Sequence, residues 1–341
     1  MTDQPSLHVP TGDQERVAAR PRLQYFPISF FAAVLGMTGT TIALQRAERF
    51  LGFPLALSGI LLVASLAIFL VIAVLYALKA ARFPDAMKRE FAHPVKINFF
   101  PTISISLLLF AIAFLRLNND LSRVLWMVGA AIHLVFTIVI LSAWKQRTTF
   151  QIQHANPAWF IPVVGNIIVP IAGVAHAPAE VSWFFFSIGL IFWLVLLTIV
   201  LYRVIFYPPL AERLMPTLFI LVAPPAVGFV SYLRLMEQEG GAPALDGFAR
   251  ILYYVALFIF LLLLAQLRQF VRLPFYISWW AYSFPTAAIT IATILMADRT
   301  DLLFFQVLAY VLLVGLGALI LTLLVRTAAA IVQRRICVED E

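Results

Sequence analysis

The sequence predicts an all-α integral membrane protein, and three observations lead there. Of 341 residues, 62% are hydrophobic and only 12% charged, about half the charged share of a soluble globular chain. The apolar residues fall in runs near the ~20 residues that a helix needs to cross a bilayer, not in amphipathic stripes. The lysines and arginines then alternate between successive loops in the pattern that sets membrane orientation.

Ten candidate transmembrane helices follow in chain order: 26–45, 55–79, 97–116, 122–144, 158–177, 181–204, 216–235, 247–270, 275–296 and 302–325. The first carries Gly36, Thr38, Gly39, Thr40 and Thr41, and the seventh the pair Pro224–Pro225, so these two signals are the weakest. Residues 1–25 read as a flexible cytoplasmic tail, with Pro5, Pro10 and Pro21 among polar residues, and not as a cleaved signal peptide. Residues 26–325 form the ten-helix unit, and 326–341 a charged cytoplasmic tail.

With the N-terminus in the cytoplasm, the inside segments hold 17 of the 24 basic residues. The outside ones are Arg46, Arg49, Arg116, Arg123, Arg234, Arg250 and Arg299. This asymmetry places both ends in the cytoplasm, requires an even number of spans and suits the cell inner (cytoplasmic) membrane. The net charge of +7 is therefore a topology signal, and no nucleic-acid partner is expected.

The lone Cys337 and the histidines at 8, 93, 133, 154 and 176 offer no metal-ligand spacing. No GxxxxGK or GxSxG stretch occurs, and the loops are short. No enzyme activity, cofactor or metal is expected.

Helix breakers divide the spans into two sets. Span one has Pro27 near its start, with Gly36 and Gly39 inside; span three has Pro101; span five Pro162 and Pro170; span seven Pro224 and Pro225; span nine Pro285. The even spans contain no proline. An interior proline frees a carbonyl and kinks the helix, and at bilayer depth such a group is tolerated only against protein or a water-filled cavity. The odd helices should face inward and the even ones form a straight outer ring. Odd spans start at 26, 97, 158, 216 and 275, one helical hairpin apart. The pattern predicts five helical hairpins around a central pore.

No Asp or Glu lies in any predicted span interior, which argues against a proton-coupled pump. His133 sits on a proline-free span and reads as a helix–helix hydrogen bonder. A path without acidic rings offers no strong cation site, kinked helices aim partial positive charge at it, and a basic inner mouth concentrates anions. Small inorganic or organic anions are the expected partners, within a lipid bilayer. Thr38, Thr40, Thr41, Thr102, Ser104, Ser106, Asn166, Ser283, Thr286 and Thr290 on the odd spans either touch ions or join helices. Phe284, beside the bend at Pro285, either closes a narrow bore or is ordinary packing among 30 phenylalanines.

Three stretches carry a family resemblance. "WWAYSFP" (279–285), "FAHPVKINFFP" (91–101) and "HANPAWFIPVVGNIIVPIAG" (154–173) are similar to the ninth helix, the approach to the third and the fifth helix of the tellurite-resistance/C4-dicarboxylate transporter family. That family includes a bacterial tellurite-resistance channel homologue, the yeast malate permease and the plant guard-cell slow anion channels. The match covers residues 23–330 in the right order. It implies ten helices around a pore, a homotrimer with one pore per subunit, anion passage and a phenylalanine plug, which by position is Phe284. Pro101, Pro162, Pro170, Pro224, Pro285 and Gly36 then shape the pore, with Ala32, Leu35, Asn166 and Ser283 as lining candidates. Helix one departs from the family pattern, because Ala32 stands where the family places a glycine beside the gate ring. The leading expectation is a gated anion channel or uniporter. The rival is a secondary carrier of C4-dicarboxylates or tellurite-type oxyanions, whose only candidate clamps are Arg46, Arg116 and Arg234.

Overall fold

Every regular element in the computed structural model, which describes residues 22–51, 56–240 and 245–337, is a helix. Most of the expected N-terminal tail lies outside the described residues. Among those described, nine helices are long and apolar enough to cross a membrane: Ile28–Arg49, Leu57–Arg82, Lys96–Phe114, Asn119–Gln146, Ala179–Phe206, Glu212–Gln238, Gly247–Ala265, Ile277–Thr300 and Leu303–Val332. They are spans one to four and six to ten of the sequence reading. The fifth place is taken by a shorter apolar stretch, Pro157–Gly173.

That stretch differs from the continuous helix expected over 158–177. It is a chain of short pieces, Pro157–Trp159, Phe160–Val164, Gly165–Ile168 and Pro170–Gly173, alternating between 3-10 and α geometry. Pro162 and Pro170 are the reason, since each removes a donor and crowds the preceding turn. The last helix also runs on to Val332, beyond the expected boundary at 325, because Arg326–Val332 is alanine-rich and continues a helix readily.

Burial separates the two sets of spans. In spans one, three, seven and nine, 78, 78, 83 and 89% of the apolar stretch is buried. In spans two, four, six, eight and ten the share is 22, 33, 33, 33 and 28%. All of Pro157–Gly173 is buried except Trp159 and Ile161, which are half-buried. Each buried span packs against an exposed partner that follows it in the chain, and span one also packs on three and nine, seven on nine and five, and five on three. The exposed spans turn side chains such as Ile60, Val63, Phe258 and Val314 outward, as lipid-facing helices do.

The prolines do not interrupt long α-helices as the sequence suggested. They mark junctions at which a 3-10 segment becomes α-helix. Lys96–Phe99 precedes Pro101 and the helix Thr102–Phe114; Glu212–Val222 precedes Pro224–Pro225 in Ala223–Gln238; Ile277–Tyr282 precedes Pro285 in Ser283–Thr300. A proline near the start of an α-segment forfeits a bond that the first turn would lack anyway. The carbonyl four residues upstream is taken over by a tighter i to i−3 bond. Phe100 N donates to Ile97 O, Val169 N to Asn166 O and Ala223 N to Ile220 O. Serine and threonine hydroxyls satisfy further carbonyls of the buried spans: Ser104 bonds Pro101 O at 2.8 Å, Ser283 bonds Trp280 O at 2.6 Å and Thr286 bonds Tyr282 O at 2.7 Å.

A buried ionic network ties the start of span one to the loop after span two. Glu90, on the short helix Pro84–Ala92, accepts from Lys79 Nζ at 2.6 Å, Tyr76 Oη at 3.0 Å and Ile28 N at 2.8 Å. Lys79 also donates to Phe26 O at 2.7 Å. Removing one member of a buried pair leaves the other charge uncompensated, at a cost of roughly 3–5 kcal/mol. Glu90→Ala should therefore lower the thermal unfolding midpoint of the detergent-purified protein markedly; a wild-type midpoint would show that the network does not hold the two segments together.

Candidate functional site: a cavity series between the buried spans

Four cavities follow one another through the buried spans, because neighbours share lining residues. The first, about 190 Å³, is a vestibule at the 3-10 ends of the spans, with Ser29, Glu90, His93, Lys96, Arg213 and Ser278 in its wall. Through Ala32, Phe99 and Ala281 it adjoins a cavity of about 80 Å³ lined by Leu35, Thr102, Phe160, Val164, Pro224, Trp280, Phe284 and Pro285 among others. Ile168, Val227 and Phe284 separate that cavity from one of about 40 Å³, bounded by Gly39, Leu109, Ala288 and Ile291. Ile42, Arg46, Ile112, Ile171 and Val230 then lead into a vestibule of about 240 Å³ at the α-helical ends. All five proline- or glycine-broken segments contribute to each of the two central cavities.

The two vestibules differ chemically. The one at the α-helical ends is lined by Arg46, Arg49, Arg116, Arg234, Arg299 and Glu237. These arginines come from four segments of the sequence, Arg46 and Arg49 sharing one, and converge because each sits near the end of a buried span, or just beyond it. The sequence reading placed the basic mouth on the opposite side; there only Lys96 and Arg213 line the vestibule among the described residues, opposed by Glu90. The other described basic residues of the intervening loops stay away from this cavity wall. His93 adds little positive charge at neutral pH, since burial, then Lys96, Arg213 and His154, hold its imidazole below the usual range.

The predicted site residues divide. Phe284, Ala32, Leu35, Pro224 and Pro285 share one cavity wall. Asn166 and Ser283, expected to line the path, are instead turned to neighbouring helices. Asn166 Nδ2 donates to Thr137 Oγ1 of span four at 2.9 Å and to Val163 O at 2.7 Å, and the residue is fully buried. Ser283 is fully buried against Gly36, where an added Cβ would lie 2.0 Å from Ser283 Oγ. The Asn166 amide thereby joins two spans, while the Ser283 hydroxyl bonds Trp280 O of its own span. Pro101, Pro162 and Pro170 shape segment geometry without lining these cavities. His133 is the expected helix bonder: its Nδ1 lies 2.9 Å from Ser104 Oγ of span three, and Gly165 leaves room for the ring.

Sequence reasoning missed Gly39. A Cβ there would stand 3.1 Å from Phe284 Cδ2 and 3.1 Å from Ala287 Cβ, so Gly39 is the small residue against the Phe284 ring. Ala32 lies one cavity wall further toward the 3-10 ends. The signal was available, since Gly36 and Gly39 are three apart and share a helix face, but nothing in the sequence says which ring that face meets.

Nine membrane-length helices with lipid-type side chains outward define a multi-pass membrane protein. The chain belongs to the voltage-dependent anion channel family, whose model matches residues 25–328. It is 30% identical to the S-type anion channel SLAH3 of Arabidopsis thaliana over 90% of this chain and 48% of the relative. It is 27% identical to the uncharacterized transporter MJ0762 of Methanocaldococcus jannaschii, over 77% of this chain and 82% of the relative. Against the tellurite resistance protein TehA homolog of Haemophilus influenzae the identity is 23%, over 77% of this chain and 78% of the relative. The chain spans about half the length of the plant relatives it matches. These relatives bear out the family resemblance, and they carry channel, transporter and tellurite-resistance names rather than enzyme names.

The contact at Gly36 generates a test. Gly36→Ala puts a methyl within 2.5 Å of Ser283 Cβ, an overpacking that costs about 1–3 kcal/mol. Thermal unfolding should show Gly36→Ala destabilised and the double variant Gly36→Ala/Ser283→Gly restored in part; equal midpoints for wild type and Gly36→Ala would mean that the two spans do not approach so closely.

Proposed function

We propose that the protein is a gated anion channel of the cell inner membrane, with Phe284 as its gate. In this reading the nine long helices and Pro157–Gly173 make ten crossings, paired as five hairpins around the cavity series, with both termini cytoplasmic and the protein assembled as a homotrimer. The charge count of the loops then puts the arginine-lined vestibule outside the cell. The single observation that carries the reading is that Phe284 lies between two apolar cavities to which all five buried segments contribute. A hydrophobic constriction of this kind closes a path by excluding water.

The remaining chemistry fits anions. The two central cavities contain no acidic residue in their walls, so a cation would lose its hydration shell with nothing in return. Five guanidinium groups at one mouth attract and hold anions. The backbone dipoles of segments that end at that mouth are the weaker influence, since negative helix ends point there. Desolvation in the apolar constriction favours weakly hydrated monovalent anions. The 23% identity to a tellurite resistance homologue and the names of the plant relatives support anionic cargo in general.

A second reading, a carrier for dicarboxylates or tellurite-type oxyanions, is favoured by one specific observation. Arg46, Arg116 and Arg234, far apart in the sequence, meet in a single vestibule, and several guanidinium groups can clamp two carboxylates. Counter-exchange separates the readings: a carrier accelerates efflux of labelled anion when unlabelled anion is added outside, and a channel passes current with a reversal potential that follows the anion gradient.

Reconstitution in liposomes tests the gate. Phe284→Ala should raise nitrate or chloride current about tenfold or more, equivalent to removing at least ~1.4 kcal/mol of barrier. Current unchanged from wild type in a folded Phe284→Ala protein would reject the assignment. Adding Gly39→Val to Phe284→Ala should pull the current back down, because the new side chain grows into the space the ring vacates.

A further inference from the structure

The arginine vestibule contains one acidic side chain, and its placement is unusual. Glu237 lies in the last turn of Ala223–Gln238, where a helix C-terminus repels negative charge. Its carboxylate is held by guanidinium groups from two spans. Arg234 Nη1 donates to Oε2 at 2.6 Å, and Arg299 Nη2, from the last turn of Ser283–Thr300, donates to Oε1. Glu237 and its two partners are each only 21–28% exposed. The other carboxylate near the pair, Asp298, is 60% exposed and stands 3.9 Å from Arg299 Nε. Among the described residues no carboxylate forms an ion pair with Arg46, Arg49 or Arg116, although Arg46 has Arg234, Arg49, Arg116 and Glu237 as its charged neighbours. One side-chain anion thus occupies part of a site built from five cations.

We propose that Glu237 is a tethered counter-anion that competes with the transported anion for Arg234 and Arg299 and so sets how tightly the vestibule holds its cargo. This rests on the anion-transport reading above. The physical need is plain. Five guanidinium groups in a half-enclosed pocket make a deep well, and conduction requires a site strong enough to admit an ion and weak enough to release it. A carboxylate fixed to the wall cancels one charge and engages the donors of two arginines without leaving with the ion. An arriving anion finds Arg46, Arg49 and Arg116 without a carboxylate ion-pair partner among the described residues, and gains Arg234 and Arg299 only by displacing Glu237. The residue is therefore a specificity determinant: an anion that cannot outbid a carboxylate for a guanidinium passes on, and one that can is retained.

The test uses the full chain purified in detergent, with nitrate as the probe and the thermal midpoint as the readout, followed by currents after reconstitution. Glu237→Gln removes one negative charge a few ångströms from the site, which after salt screening should lower the half-saturating nitrate concentration about tenfold. Glu237→Asp keeps the charge but is too short to bridge both arginines, and should tighten nitrate by a smaller factor. Reconstituted Glu237→Gln should reach saturating current at correspondingly lower nitrate. A merely structural role for Glu237 would loosen the site, so tighter binding separates the two. Unchanged or weaker nitrate stabilisation in whichever variants fold, or none in any protein, would overturn the proposal. The midpoint is read without current, so it distinguishes failure here from failure of the channel reading, which Phe284→Ala decides.

Discussion

The backbone carbonyls of the buried spans are the constraint on which the rest of the structure depends. Five apolar segments surround the cavities, and four of them carry proline within their apolar stretch. Each such proline leaves the chain one donor short in a medium that supplies no water. The tighter 3-10 turn meets that demand, as at Ile97, Asn166 and Ile220, whose carbonyls accept from the residue just before the proline. Hydroxyls such as Ser104, Ser283 and Thr286 bond other carbonyls of their own spans, so few of them are free to meet cargo. The cavity walls are left apolar, which suits a barrier that works by dewetting.

Position along the cavity series is then fixed by close helix contacts. Gly36 lets span one meet span nine at Ser283, and Gly39, on the same helix face, meets the Phe284 ring. The two glycines together determine how far that ring projects between the central cavities. At the start of span one, the Lys79–Glu90 network pins Phe26 and Ile28 through their backbone atoms. Span one is thus held at both its first turn and its middle, and the ring at 284 is buttressed by a fixed wall.

Much of this arrangement could be read from the amino-acid order, and the parts that could not share a cause. Apolar run length gave the long helices, and proline separated four of the five buried segments from the exposed spans without any contact information, the fifth being marked by Pro27 at its start with Gly36 and Gly39 inside. Pro157–Gly173 escaped as a continuous helix because two prolines eight residues apart forbid one. Asn166 and Ser283, lining candidates in the sequence, are not among the residues of the two central cavity walls, because a polar residue on an inward span can face a neighbour as easily as a cavity, and only the angle about the helix axis decides. Arg46, Arg116 and Arg234 were legible as candidate clamps near the span ends, but their meeting with Arg49, Arg299 and Glu237 in one vestibule was not, since these residues come together only when the spans are bundled. Gly39 was seen as a weakness of span one when it is a point of contact.

The eleven-residue 3-10 segment Glu212–Val222 has a consequence for how the molecule fits its lipid. At about 2.0 Å per residue against 1.5 Å for an α-helix, it is roughly 5 Å taller than the same residues wound the ordinary way. The same mixing in Lys96–Phe114, 19 residues beside the 28 of Asn119–Gln146, helps a shorter proline-bearing span approach the height of its straight partner.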